Sequence, residues 1–183
     1  MPLKFFMMNS GSNKRSRNSS RSYIAAFLLL ITGFLALGCQ DEKEEKVKAT
    51  FEMQMENSKG EPVSMEDLKG KVIFFNVWAT WCPPCIEEMP TIQNLYEEVG
   101  ADPKIAFLML SMDQDFDKAI QYREKYGYDF EIYRLTGAMP AMYSTKLIPT
   151  TFVIDPEGNL VLQHDGVGQF DTREFKDFIL GLK

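Results

Sequence analysis

The spacing of hydrophobic residues differs from one part of the chain to the next. Alternating residues and continuous apolar runs predict strands, and a spacing of three to four residues predicts helices. Residues 50–55 alternate between apolar and polar side chains, as expected of a half-buried strand. Residues 71–78 and 104–112 are almost continuously apolar, as expected of central strands covered on both faces. The stretches 82–99 and 115–126 follow these runs and predict helices.

The last part of the chain predicts a hairpin followed by a helix. Residues 150–155 have a strand pattern, Asp155-Pro156-Glu157-Gly158 has the chemistry of a type I turn, and residues 159–163 provide the returning strand. The final helix is expected to begin with Asp171 as an acidic N-cap. Glu174 follows three residues later, in an arrangement akin to a capping box.

This order of elements predicts an α/β fold, in which one mixed central sheet is covered by helices on both faces. The chain has 183 residues, which suits one domain and a short appendage. We assign residues 49–183 to the domain. In its second helix, Phe116, Ile120 and Tyr126 are the candidates for the inward face.

The first 38 residues predict an export signal. Residues 1–22 are basic and rich in Ser and Asn, and a short apolar run over residues 23–37 ends just before Cys39. A basic region, a short apolar region and a small residue at the break are the parts of a secretory signal. A spanning helix needs about 20 apolar residues, so the alternative of an uncleaved anchor with a buried Cys39 is less favoured.

The charge of the remaining chain argues against a nucleic-acid partner. The net charge is −6, but residues 1–38 carry five basic residues and no acid, so that the rest has 15 basic and 26 acidic residues and a net charge of −11. Such a surface repels phosphates. Residues 39–48 are mostly charged and are predicted to be a solvated tether.

Two of the three cysteines lie in Cys82-Pro83-Pro84-Cys85, directly after a predicted strand and at the start of a predicted helix. Unpaired N–H groups and the helix dipole stabilise a thiolate at that place. The second cysteine lies one turn later, within reach of a disulfide. We therefore predict that Cys82 is the exposed, attacking thiol and Cys85 the buried, resolving thiol of an exchange reaction.

Two other interpretations of this pair are weaker. A structural zinc site needs four ligands, and only the distant Cys39 and the single histidine, His164, could complete one. An inert disulfide would close a very short loop and stabilise little. We predict no metal site and assign no role to His164.

Residues 74–85, Phe-Phe-Asn-Val-Trp-Ala-Thr-Trp-Cys-Pro-Pro-Cys, resemble the active-site block of the thioredoxin superfamily. With Glu88 and Pro90 after it, the block is similar to the TlpA/ResA branch of exported thioredoxin-like proteins. The likeness extends from about residue 50 to residue 183. It implies a thioredoxin fold, with an N-terminal strand extension, and a protein-disulfide oxidoreductase that uses no cofactor.

One departure from thioredoxins proper concerns the proton of the buried thiol. They carry a buried Asp where this chain has Asn76, and an amide cannot titrate. Glu88 lies three residues after Cys85, on the same side of the helix, and matches the acidic residue that the TlpA/ResA branch uses near its cysteines. We predict that Glu88, rather than the neighbouring Glu87, is the general acid and base of the site.

The segment Ile148-Pro149-Thr150 resembles the cis-proline loop of the superfamily. The resemblance implies that Pro149 lies against the disulfide and that the backbone of Ile148 is free to pair with a substrate strand. Trp81 is expected to line the rim of the site, and Pro83 stiffens the loop. Trp81, Pro83, Ile148 and Pro149 are therefore the predicted substrate-binding residues.

Residues 35–39, Leu-Ala-Leu-Gly-Cys, resemble a bacterial lipobox, with Ala36 where that motif usually has Leu. The resemblance implies that residues 1–38 are removed and that Cys39 carries a lipid. The expected location is the cell envelope, on a membrane facing the periplasm. The acidic stretch after Cys39 also resembles one that sends some lipoproteins from the outer membrane to the cell surface.

The hypothesis that follows is a reductant of exported proteins, which serves cytochrome c maturation and is itself reduced by a membrane thiol donor. A peroxidase is one alternative, although the P-x-x-x-T-x-x-C pattern is absent because Ala79 and Cys82 stand three residues before the two cysteines. A copper carrier is another, although such proteins use a wider Cys spacing and a distant His.

Overall fold

The computed structural model describes residues 46–183. The predicted signal peptide, Cys39 and the tether up to residue 45 lie outside the described residues. Among residues 46–183, none of the helices has the length and apolar character needed to cross a bilayer.

One mixed sheet forms the centre of the domain. In the described part of the chain it has seven strands in the order β2-β1-β5-β4-β3-β6-β7. Strand β3 runs parallel to β4, and β4 parallel to β5, whereas the other neighbouring pairs are antiparallel. The strands are β1 (Gln54–Asn57), β2 (Pro62–Ser64), β3 (Val72–Trp78), β4 (Ile105–Ser111), β5 (Ile132–Leu135), β6 (Thr150–Ile154) and β7 (Leu160–Asp165).

Within residues 46–183, three α-helices and two short 3-10 helices cover the sheet. The α-helices are α1 (Pro83–Val99), α2 (Phe116–Tyr126) and α3 (Arg173–Gly181), and the 3-10 helices are Met65–Leu68 and Ala141–Tyr143. All three α-helices contribute to the core cluster on one face, and Met65 and Tyr143 of the 3-10 helices pack into the cluster on the other. Helical segments therefore cover both faces, and the α/β thioredoxin fold is confirmed.

Strand β3 separates the two clusters and positions the site. Every one of its residues is buried. Because side chains alternate along a strand, Phe74 and Trp78 point to the face of α1, and Phe75 points to the other. Asn76 is two residues from both Phe74 and Trp78, so its side chain points to the same face. Its amide therefore faces α1 and is surrounded by apolar side chains.

Strands β2 and β5 were not predicted from the sequence. They contain three and four residues, which is too short for an alternating pattern to identify. The inward position of Tyr126 was wrong, since this residue is 52% exposed while Phe116 is buried. Ten residues at about 100° each place Tyr126 roughly 80° away from Phe116 around the helix.

Both ends of the domain differ slightly from expectation. Thr172, not Asp171, is the N-cap of α3, and its side chain accepts the hydrogen bond of the Phe175 amide. At the N-terminal end, the carbonyl oxygen of Val47 accepts a hydrogen bond of 2.8 Å from the amide of Leu160, the first residue of β7. Backbone pairing therefore begins two residues before the predicted domain start at residue 49.

Candidate active site

The two cysteines form a disulfide at the N-terminus of α1. The S–S distance is 2.06 Å. Cys82 is the N-cap residue, and its Sγ accepts a hydrogen bond of 3.2 Å from the amide of Cys85. Pro83 and Pro84 occupy the first two helical positions, where no intrahelical N–H partner is needed. An amide that points at the sulfur of Cys82 is the arrangement that stabilises a thiolate there after reduction.

The accessibility of the two cysteines only partly follows the prediction. Cys82 is 4% exposed and Cys85 is 0% exposed, so the order is as expected, but Cys82 is not an openly exposed residue in the disulfide state. The carbonyl oxygen of Ile148 lies 3.6 Å from its Sγ and covers it. A substrate must therefore approach over Ile148 or along the neighbouring rim.

The rim of the site is formed by the predicted substrate-binding residues. Trp81 is 64% exposed, and Pro83 is also exposed. Ile148 is half-buried and Pro149 is buried, and the peptide bond between them is cis. The structure thus brings all four residues to the disulfide, although it does not test what they bind.

Glu88, on the inward side of α1, is fully buried, whereas Glu87 is exposed. Its Oε1 accepts a hydrogen bond of 2.8 Å from Nδ2 of Asn76, and its Oε2 accepts one of 2.9 Å from the amide of Gly168. Burial raises the pKa of Glu88 from 4.5 to about 7, and it outweighs these two hydrogen bonds and the charge of His164, all of which lower that pKa. The carboxyl group can therefore gain or lose a proton near neutral pH.

Asn76 connects Glu88 to the sheet. Its Nδ2 donates to Glu88 and also to Oγ1 of Thr151, at 2.8 Å in both cases. Among the described residues, its Oδ1 is buried and has no hydrogen-bond partner. The amide gives both of its protons to this site, so it holds the Glu88 carboxylate in place without titrating.

Asp113 is a further residue of the site, and it was not predicted. It is buried at the end of β4. Its carboxylate accepts hydrogen bonds from the amide of Thr80 at 3.0 Å, the hydroxyl of Thr80 at 2.6 Å and the hydroxyl of Ser111 at 2.8 Å. This clamp fixes the loop that carries Trp81 and Cys82. The signal for it in the sequence is an acid just beyond the carboxyl end of a continuously apolar strand.

An open cleft of about 370 Å³ lies beside the rim and is lined by Trp81, Met112 and Asp115 among others. No cysteine lines it.

Among residues 46–183 there is no group of three or more His, Cys, Asp or Glu side chains that could hold a metal ion. The reactive groups that the structure brings together are thus the two sulfur atoms and the Glu88 carboxyl group.

Comparisons with known proteins agree with this geometry. The model of the AhpC/TSA family matches residues 45–163. The thiol-disulfide oxidoreductase ResA of Bacillus thuringiensis strain Al Hakam is 30% identical over 135 residues, which cover 73% of this chain and 76% of that protein. The thioredoxin-like protein YneN of Bacillus subtilis is 26% identical over 164 residues, which cover 85% of this chain and 95% of that protein.

Solved structures show the same fold. A thiol:disulfide interchange protein of the thioredoxin family from Chlorobium tepidum superposes with a TM-score of 0.62 at 25% identity, and the match covers 76% of this chain and 99% of that one. With its family match, its fold and its Cys82–Cys85 pair, the chain belongs to the AhpC/TSA family of thioredoxin-like proteins and is a thiol-disulfide oxidoreductase.

Proposed function

We propose that this protein reduces disulfides of exported proteins, with Cys82 as nucleophile, Cys85 as resolving thiol and Glu88 as the group that takes up the proton of Cys85. The observation that carries the proposal is the position of Glu88, a buried carboxyl group with a pKa near 7, one helical turn beyond a buried cysteine. Glu88 supplies the titrating group that Asn76 cannot provide.

The reaction transfers two electrons from the dithiol to the substrate. The Cys82 thiolate attacks a substrate disulfide, and a mixed disulfide forms as one substrate thiolate leaves. Cys85 then loses its proton to the Glu88 carboxylate and attacks Sγ of Cys82. The mixed disulfide breaks, the second substrate sulfur leaves and is protonated, and the Cys82–Cys85 disulfide remains. A membrane thiol donor returns the pair to the dithiol.

The rim supports a polypeptide substrate. Trp81 offers an exposed aromatic surface beside Cys82, and the Ile148 carbonyl next to the sulfur can accept a hydrogen bond from an extended substrate strand. The class of substrate that the family resemblance implies is a cysteine pair of an exported apocytochrome c. A lipid on Cys39 would keep the enzyme on the membrane where such proteins emerge.

The test is stopped-flow reduction of a peptide disulfide from pH 5 to 9 with wild type, Glu88→Gln and the matched control Glu87→Gln. We expect Glu88→Gln to slow the resolving step by roughly 10²-fold, within the range typical of a lost general base, and to remove an inflection near pH 7. Glu87→Gln should behave as wild type because its side chain is exposed. A Glu88→Gln profile identical to that of wild type would refute the role of the carboxyl group.

The direction of electron flow is tested by the reduction potential of the Cys82–Cys85 pair. For a reductant we expect a value close to the −270 mV typical of thioredoxin. A value near −120 mV, as for the oxidant class of this chemistry, would reverse the proposed direction while leaving the exchange chemistry intact.

A further inference from the structure

His164 lies on the same face of the sheet as the residues that hold Glu88. Asn76 on β3 is opposite Thr151 on β6, and Thr151 is opposite His164 on β7. Directly opposed residues of neighbouring strands place their side chains on one face. The three side chains therefore form a polar row across three strands, on the face that α1 covers with Glu88.

A second connection runs through the loop after β7. The Nε2 of His164 lies 3.2 Å from the carbonyl oxygen of Val167, and the next amide, that of Gly168, donates to Oε2 of Glu88 at 2.9 Å. The imidazole also packs edge-on against the buried ring of Phe170, at a centroid distance of 6.2 Å. The ring is thus held by the loop that binds the carboxyl group.

We infer that His164 is a positioning residue for Glu88. As an imidazolium it stabilises the buried carboxylate, and its hydrogen bond to Val167 keeps the Gly168 amide on that carboxylate. The inference deepens the proposed function and rests on it for its catalytic meaning, although the pairing itself can be measured without any reaction.

The surroundings of Glu88 leave few other groups that could play this part. Asn76 on β3 and the Gly168 amide are neutral donors to its carboxyl group, and Thr151 on β6 accepts a hydrogen bond from Asn76. The two cysteines at the start of its helix are joined in the disulfide. A positive charge on His164 lowers the pKa of Glu88 against the effect of burial.

This chain has one histidine, and the loop that it contacts supplies the amide that binds Glu88. The imidazole signals of His164 can therefore be followed by proton NMR without assignment, in oxidised protein purified without a histidine tag. We expect Glu88→Gln to shift the Hε1 and Hδ2 signals of His164 at one fixed pH, because the ring and the carboxyl group are held by the same loop.

The exposed neighbour supplies the control. Glu87→Gln should leave the His164 signals where they are in wild type. Identical His164 signals in wild type and a folded Glu88→Gln variant would overturn the pairing, and so would an equal change in both variants.

Two substitutions at position 164 separate charge from packing. His164→Gln should move the Glu88-dependent inflection of the exchange rate upward, and His164→Lys, which restores a positive charge but loses the ring, should not. Upward movement in both variants would make His164 a packing residue and contradict the inference.

The two proposals fail in different ways. If Glu88→Gln exchanges like wild type while the NMR coupling is present, the proposed proton transfer is wrong and the pairing stands. If Glu88→Gln slows exchange while the His164 signals do not move, the proposed function stands and the pairing is wrong.

Discussion

The side-chain amide of Asn76 donates a hydrogen bond of 2.8 Å to the carboxylate of Glu88, twelve residues further along the chain. This contact joins the central strand to the helix that starts at the disulfide. It also places a neutral donor where thioredoxins proper have a carboxyl group, so that Glu88 is the one buried acid of this contact and can hold a proton near neutral pH.

Stability should decrease as the pH rises from about 5 to 8. Burial raises the pKa of Glu88 from 4.5 to about 7, so the folded state binds the proton more tightly than the unfolded state. The stabilising contribution is complete below pH 4.5 and is lost as the pH rises through 7. A shift of this size corresponds to a loss on the order of 3 kcal/mol.

Urea unfolding of the oxidised protein at pH 5 and pH 8 checks this. Glu88→Gln should remove most of the decrease, and Glu87→Gln should keep it. Glu88→Gln is expected to fold, because rotation of the Asn76 amide can turn its unpartnered Oδ1 toward the new amide group. An undiminished pH dependence in Glu88→Gln would assign the effect to another residue.

Cys82 should be the more reactive thiol of the reduced protein. It is the N-cap of α1, and its sulfur accepts a hydrogen bond from the amide of Cys85. We therefore expect its pKa to lie below the value of about 8.5 that is typical of a free cysteine. Alkylation across pH followed by peptide mass spectrometry should label Cys82 first. Preferential labelling of Cys85 would reverse the two roles.

Asp113→Ala should weaken both the fold and the reaction. It leaves the Thr80 amide, the Thr80 hydroxyl and the Ser111 hydroxyl without their acceptor, and lost buried partners of this kind cost about 2–4 kcal/mol. The loop before Cys82 is then free to shift, so we expect exchange to slow by roughly tenfold or more. Glu124→Ala removes an exposed acid from the last turns of α2 and should change neither quantity measurably.

Cys39→Ala should release the protein from the membrane or block its processing. The expected measurements are membrane fractionation and intact mass, which should show a lipid on wild type and none on the variant. Cys82→Ser serves as the control, because it removes a cysteine from the domain and should keep the lipid. Unchanged fractionation and unchanged processing in Cys39→Ala would remove the proposed anchor.

Local patterns in the sequence were sufficient for the central part of the fold. The continuous apolar runs identified β3 and β4, because strands buried on both faces need apolar side chains at every position. The CxxC pair after a strand identified the reactive centre, since the start of a helix is where a thiolate is stabilised. The helical phase of Glu88 and Glu87 distinguished the buried acid from the exposed one.

Tertiary structure alone decided which polar residues surround that acid. Thr151, His164 and Gly168 lie 63 to 80 residues beyond Glu88 along the chain. The pairing of β3 with β6 and of β6 with β7 brings Thr151 and His164 to the face of Asn76, and the loop after β7 brings the Gly168 amide to the carboxylate. The clamp between Asp113 and Thr80 likewise joins the ends of two parallel strands, 33 residues apart. A sequence pattern reports the period of a single element, whereas these contacts depend on the register between elements, which is set only when the whole sheet has formed.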